Sequence, residues 1–338
     1  MILKKLYLYP FWLISLITGA KSFRDNPIIG SKRLNQMGLH IMRMRLAQRL
    51  AWSRRKRMEH HVPAAYRAQF QKNGFILIPS YLDTDHFAAL SAQILSTTAP
   101  AREMVQGDTV TRRIAINAEY IKLVPGLRNL IDDPKWRRLM HYVSSYASEP
   151  LYYVQTILKT AAEGEPDPQT EMHADTFHPT MKAWFFLHDV GEDEGPLIYV
   201  PGSHILTKER LAWEQKRSIQ ASEGLDFLSS RGSMRIDPAE LAQLGLPPPR
   251  SFAVPANTLI IADTSGFHAR APSPGGNKRM EIWAYCRRNP FYPWTGGDIL
   301  SMKGIAERRI ELFWKAKDML RPYLGQPWQD VGPKRPGD

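Results

Sequence analysis

The chain has 338 residues, 43% of them hydrophobic and 23% charged, with a net charge of +12 and one cysteine. These fractions are those of a globular protein with a sizeable core, and the length allows one large or two ordinary folded domains. The lone cysteine, Cys286 in the strand-like "EIWAYCRR", excludes an internal disulfide framework and a thiolate zinc site, and reads as a buried, inert thiol.

Residues 1–60 carry thirteen lysines and arginines against Asp25 and Glu59, so nearly all of the net charge sits there and the rest is close to neutral. The same stretch contains "LYLYPFWLISLITGA", Leu6–Ala20, which is uncharged, aromatic, broken by Pro10 and shorter than the roughly 20 apolar residues of a spanning helix. Apolar and basic signals together suit a cytoplasmic, anionic membrane surface to which the chain is peripheral. A secreted form is the rival, with Lys4–Lys5 ahead of the apolar run and Thr18-Gly19-Ala20 as a cleavage site; the dense basic stretch that follows argues for cytoplasmic retention. Packing of the apolar N-terminus on the protein's own body is a further alternative. Nucleic acid is disfavoured, because no recognised binding motif accompanies the charge. The expectation is therefore an N-terminal arm, 1–60, that can be removed without touching any candidate site residue. Leu34–His61, free of proline, reads as helix.

The body is expected over 61–330 and a flexible tail over 331–338. Gly74 ends a helical "YRAQFQK", and Phe75–Pro79 reads as the first strand. Asp83 caps a helix with Phe87, Leu90 and Ile94 at helical spacing. "DPKWRRLMHYVSSYA" is a further helix. From Leu151 the texture changes to short β-rich runs, "LYYVQTILKTA", "KAWFFLHDV", "GPLIYVPGS", "SFAVP", "NTLIIADTSG" and "MEIWAYCRR", separated by Gly, Pro, Asn and Asp. Many such strands point to a sandwich or barrel. The fold class is mainly β with flanking helices, α+β. A polar, helix-like "TKERLAWEQKRSIQASEGLDFLSS" is expected to cover one mouth of a barrel.

"MHADTFHP", Met172–Pro179, concentrates two histidines and an aspartate. On a strand, His173 and Asp175 project to one face and can grip one ion. His268 in "IIADTSGFHARAP" is the best third ligand. Two histidines and one carboxylate on one side of a metal form the facial triad of non-haem iron(II) oxygenases, with positions left open for oxygen and a chelating co-substrate. His178 and His188 read as structural histidines, His204 as a turn-stabilising hydrogen-bonding group, and Asp263 as a local turn former.

These residues, with "NGFILIPSYL", the His-Ala-Asp strand, "EGPLIYVPGSH" and a distal histidine followed eleven residues later by Arg279, resemble the phytanoyl-CoA dioxygenase family over roughly Tyr66–Arg288. The resemblance implies a double-stranded β-helix, a cupin-like jelly-roll, with His173, Asp175 and His268 as iron ligands. It implies Arg279 for the distal carboxylate of 2-oxoglutarate, as a planar, permanently charged fork suits a carboxylate. It places further co-substrate contacts on Gln155, Lys159 and Trp184; Arg270 is the rival arginine, and Trp184 and Lys159 have core and solvated readings. Implied cofactors are iron(II), 2-oxoglutarate and dioxygen, with ascorbate in support. The implied reaction is hydroxylation of a C–H bond in a small molecule, and the apolar basic arm suggests a lipid or lipid-linked one. The alternatives are a zinc-dependent hydrolase, which gives Arg279 no set role, and a non-catalytic cupin-like metal-binding or interaction protein.

Overall fold

A computed structural model describes residues 7–159, 165–221, 224–273, 278–302 and 304–338, with Lys159 and Leu324 described by backbone alone. Among the described residues eleven strands lie in two antiparallel sheets. They are β1 Phe75–Ile78, β2 Ala99–Gln106, β3 Thr109–Ala115, β4 Leu151–Lys159, β5 Met181–Phe186, β6 Leu197–Tyr199, β7 Arg250–Ser251, β8 Leu259–Asp263, β9 His268–Arg270, β10 Lys278–Cys286 and β11 Gln329–Lys334. The large sheet runs β1-β8-β5-β10-β4-β3-β2-β11 and the small one β7-β6-β9. This is the jelly-roll that the family resemblance implies, and it agrees with the sandwich or barrel read from the short, turn-bounded strands.

Alternation along the central strands sorts side chains between two cores. Val154, Ala183, Phe185, Ile282 and Ala284 face a helical layer that brings Leu90, Ile94, Trp136, Leu139 and Val143. Their sequence neighbours Tyr153, Trp184, Phe186 and Trp283 face inward, toward Leu197, Tyr199 and Phe252. Inward positions are where a site can be built. Gly74 ends the helix Ala64–Asn73 in the left-handed region, φ +85°, and a Cβ there would lie 2.5 Å from the Tyr199 hydroxyl. The "NGF" that opens the body is thus both a helix stop and a close approach.

Two expectations change. The 331–338 tail is not free: β11 pairs with β2, Arg112 Nη1 donates to the Asp338 carbonyl at 2.6 Å, and Thr156 Oγ1 to the Pro336 carbonyl at 2.8 Å. The sequence hides this because "DVGPKRPGD" lacks strand alternation, and its pairing is set by long-range partners. The 1–60 arm is not set apart either. Leu39–Met58 is helical, as expected, but its Arg43, Arg54 and Arg55 are buried and cannot meet headgroups. Arg54 bonds the Ser145 carbonyl and hydroxyl. Arg55 pairs with Asp263 at 3.1 Å and donates to the carbonyls of Tyr142 and Val143. These are structural arginines, and removal of the arm removes them. The hairpin β2–β3 was also unforeseen, although Gly107-Asp108, with Gly107 at φ +57°, is a two-residue hairpin turn between β-rich runs.

Among the described residues no helix is long and apolar enough to cross a membrane. The helix Lys208–Gln220 lies against the β9 turn, its Trp213 edge-on to Phe267 at 5.3 Å.

Candidate metal centre

His173 and His268 are joined by a β-bridge: each backbone N–H donates to the other's carbonyl, at 3.0 and 2.9 Å. His173 does not lie in a regular strand, yet its backbone is extended, and Asp175 N–H donates to the Thr264 carbonyl at 2.9 Å. The three side chains therefore converge, with one ligand atom from each within 4.8 Å of the others. His173 Nε2 lies 3.7 Å from Asp175 Oδ1, and His268 Nε2 3.7 Å from Asp175 Oδ2.

The second ring nitrogens fix the tautomers. His173 Nδ1 donates to the Glu171 carbonyl at 2.7 Å and His268 Nδ1 to the Gly266 carbonyl at 3.0 Å, which leaves both Nε2 lone pairs facing inward. His268 Nε2 is buried with no hydrogen-bond partner. A Cβ at Gly266 would sit 2.0 Å from the Tyr199 hydroxyl, so only glycine lets this turn seat against Tyr199. Burial, with the neighbouring His268, holds the His173 imidazole well below its usual range, and burial lowers His268 too. Burial alone would raise the Asp175 carboxyl; attraction led by the Lys182 ammonium outweighs it and holds it well below the carboxylate range. Two neutral imidazoles and one carboxylate fit a divalent ion such as iron(II).

A cavity of about 360 Å³ opens from the triad. Its wall includes Gln155, Trp184 and Arg279, and also Arg270. Arg270 is ion-paired with Asp167. Arg279 Nε donates to Glu281 Oε2 at 3.0 Å and its Nη1 to the Gly195 carbonyl. Gln155 accepts from Arg113 Nε at 2.9 Å and donates to Glu281 Oε1 at 2.8 Å. Glu281, 0% exposed, thus ties Arg279 to Gln155 and Arg113 in one chain across adjacent strands. Trp184 serves the inner core and the cavity wall together. Lys159 ends β4, and its side chain lies outside the described residues. A larger, mainly apolar cavity of about 870 Å³ is lined by Met172, Ile198, Ile236 and Ala269 and contains no triad residue.

Several site residues were missed. Arg113, Lys182, Glu281 and Tyr285 share the inward phase of β3, β5 and β10, so alternation counted from Trp184 and Arg279 would have reached all but Arg113. Lys21 and Arg287 also line the cavity, and nothing local in the sequence points to Lys21.

His188 is satisfied on both nitrogens, by the Asp189 carbonyl and Met280 N–H. His178 is buried and bonded only through Nδ1. His204 departs from expectation. Neither ring nitrogen has a hydrogen-bond partner; the ring packs beside Phe70, and burial lowers it to about 4. Asp263 does accept from Ser265 in its turn, but it also anchors Arg55. Burial pushes the Cys286 thiol up to about 11, which keeps it inert.

The sequence profile of the phytanoyl-CoA dioxygenase (PhyH) family matches residues 70–239. No curated protein matches the chain. Among solved structures, SnoN, a non-haem alpha-ketoglutarate-dependent epimerase from nogalamycin biosynthesis, is 20% identical over 65% of this chain and 80% of its own, with TM-score 0.42. SnoK, a carbocyclase of the same biosynthesis, is 18% identical over 68% and 84%, with TM-score 0.43. HygX from Streptomyces hygroscopicus, with nickel and 2-oxoglutarate bound, is 14% identical over 72% and 93%, with TM-score 0.42. Likenesses this distant say nothing of the reaction.

Proposed function

Because the chain belongs to the phytanoyl-CoA dioxygenase family, we propose that it is an iron(II)- and 2-oxoglutarate-dependent dioxygenase that hydroxylates a C–H bond of a small molecule. The observation that carries this is the His173–Asp175–His268 cluster, its imidazoles held in the metal-binding tautomer, at one cavity that also contains Arg279. Iron(II) held by the three would activate dioxygen against 2-oxoglutarate. The carbonyls of Glu171 and Gly266 orient the imidazoles. Arg279 takes the distal carboxylate, aimed by Glu281 and Gln155, while Arg270 is engaged by Asp167. Trp184, Trp283 and Leu197 wall the cavity with apolar surface and limit water. A zinc hydrolase reading leaves this arginine chain without a task. The test is succinate formation from 2-oxoglutarate with iron(II), oxygen and ascorbate. No succinate from folded, iron-loaded protein would overturn the proposal.

We also propose that the enzyme rests on an anionic membrane surface, where it meets a lipid or lipid-linked substrate. The helix Tyr9–Ser15 buries no residue, and Phe11 and Ile17 are 66% and 67% exposed. Met42, Arg45, Leu46 and Arg49 form an exposed face at i, i+3, i+4 and i+7 of the helix Leu39–Met58. Apolar and basic groups side by side supply the two signals stable attachment needs. Full-length protein should sediment with phosphatidylglycerol vesicles and not with phosphatidylcholine vesicles. Equal recovery in both pellets, or in neither, contradicts it.

A further inference from the structure

The N-terminal segment lies outside the family match, yet it reaches the metal centre. Buried Arg43 clamps it: Nε donates to the Leu16 carbonyl at 3.0 Å, and Nη2 to those of Thr18 and Ala20 at 2.9 and 2.8 Å. The Arg43 guanidinium lies over the Phe177 ring at 4.4 Å. Asn289 holds the Ile17 carbonyl at 3.0 Å and Arg287 the Gly19 carbonyl at 2.7 Å. So fixed, the segment delivers Lys21, whose Nζ donates to the Asp175 backbone carbonyl at 2.5 Å. Lys182 Nζ lies 2.7 Å from Asp175 Oδ2.

Lys21, Lys182 and Arg287 all line the triad's cavity, and Asp175 is the one carboxylate in that wall among the described residues. Of the other cations in that wall, Arg270 pairs with Asp167, Arg279 with Glu281, and Arg113 lies over the Trp283 ring, so Lys21, Lys182 and Arg287 remain to face Asp175; the two charges of a divalent metal would be offset by those of 2-oxoglutarate. Lys21 is bound to a neutral carbonyl, which does not offset its charge. Such an excess, in a confined cavity, favours an anionic ligand. Arg279, aimed by Glu281 and the Gly195 carbonyl, is kept for the distal carboxylate of 2-oxoglutarate.

We propose that the primary substrate carries an anionic group, a phosphate or a carboxylate, and that Lys21, Lys182 and Arg287 hold it beside the metal ligands. This rests on the reading of the triad as the metal centre. It assigns the N-terminal segment a part in the site: residues 16–21 complete the substrate pocket.

The test uses full-length protein loaded with nickel(II) and saturated with 2-oxoglutarate, so that the co-substrate's own carboxylates are already placed. Inorganic phosphate and, separately, acetate are titrated in, and quenching of the fluorescence of the cavity-wall residues Trp184 and Trp283 is followed. Saturable binding of either anion is expected, and the tighter one identifies the group. Lys21→Met and Arg287→Met should each weaken it about ten-fold or more, while Lys21→Arg stays close to wild type. Arg287 is exposed, so its variant keeps the test alive if Lys21→Met melts early. Failure of wild type to bind either anion, or unchanged affinity in Lys21→Met or Arg287→Met, overturns the subsite. Failure of wild type to take up nickel and 2-oxoglutarate overturns the triad reading and the subsite with it.

Discussion

Arg55→Met should cost about 4 kcal/mol of folding stability. Arg55 and Asp263 are both buried, with side chains 1% and 0% exposed, and pair at 3.1 Å. Removing one partner of such a pair leaves an uncompensated charge and costs ~3–5 kcal/mol. Asp263 keeps the Thr180 and Ser265 N–H groups, both at 3.1 Å, and the Ser265 hydroxyl at 2.7 Å, which places that part near ~3 kcal/mol. Arg55 also bonds the carbonyls of Tyr142 and Val143, at 3.1 and 2.7 Å, and their loss adds ~1 kcal/mol or more. With an m-value of ~3 kcal/mol/M, the urea midpoint should fall by a little over ~1 M, read by tryptophan fluorescence. Adding Asp263→Asn removes the stranded charge, so the double variant should be less destabilised than the sum of the two singles. The turn after Asp263 also supplies the Thr264 carbonyl that holds Asp175 N–H, so metal affinity should fall with stability. Unchanged unfolding of Arg55→Met, or strict additivity of the pair, would refute this reasoning. A chain beginning at Arg57 should likewise fold poorly, since it lacks the buried Arg43, Arg54 and Arg55 and the Lys21 contact to Asp175.

Arg279→Met should raise the KM for 2-oxoglutarate about ten-fold or more with little effect on iron affinity, because a charge-assisted bond is worth ~1.5–3 kcal/mol; if Arg270→Met gives that effect instead, the arginines are exchanged. Glu281→Gln should raise the same KM through a misaimed Arg279, in a protein whose iron affinity is unchanged. His204 gives a pH prediction. Its folded value, about 4, lies below the unfolded 6.5, so as pH falls the unfolded chain takes up the proton first. Stability should therefore be full above pH 6.5 and decline between 6.5 and about 4, with about 2 kcal/mol gone at pH 5. His204→Phe should flatten part of that limb in denaturant unfolding at pH 7 and 5, and an unchanged limb would show that other groups set it.

Much of the body was legible because its strands obey local rules. "KAWFFLHDV" and "MEIWAYCRR" announce strands by β-branched and aromatic content, and "NGF" announces a stop. The triad was legible because His173 and Asp175 are two apart and His268 follows an apolar run. What escaped depends on contacts far apart in sequence. Arg43, Arg54 and Arg55 read as surface charge in a basic run; only the fold supplies Asp263 and the carbonyls that bury them. Lys21 reaches Asp175 across 154 positions. β11 carries no pattern of its own and is a strand because β2 offers it an edge. The expectation for His204 erred because a histidine after "PGS" was given a hydrogen bond, whereas tertiary packing gave it Phe70.

The most direct measurement is the conversion of 2-oxoglutarate to succinate by purified full-length protein with iron(II), ascorbate and oxygen, alongside folded His173→Ala, Asp175→Ala and His268→Ala. The account predicts many turnovers of succinate for wild type, strict dependence on iron(II), and no signal above the enzyme-free background for each variant. Succinate formation by folded Asp175→Ala at the wild-type rate, or a wild type that is inert with iron(II) but hydrolyses ester or phosphate probes with zinc, would contradict it.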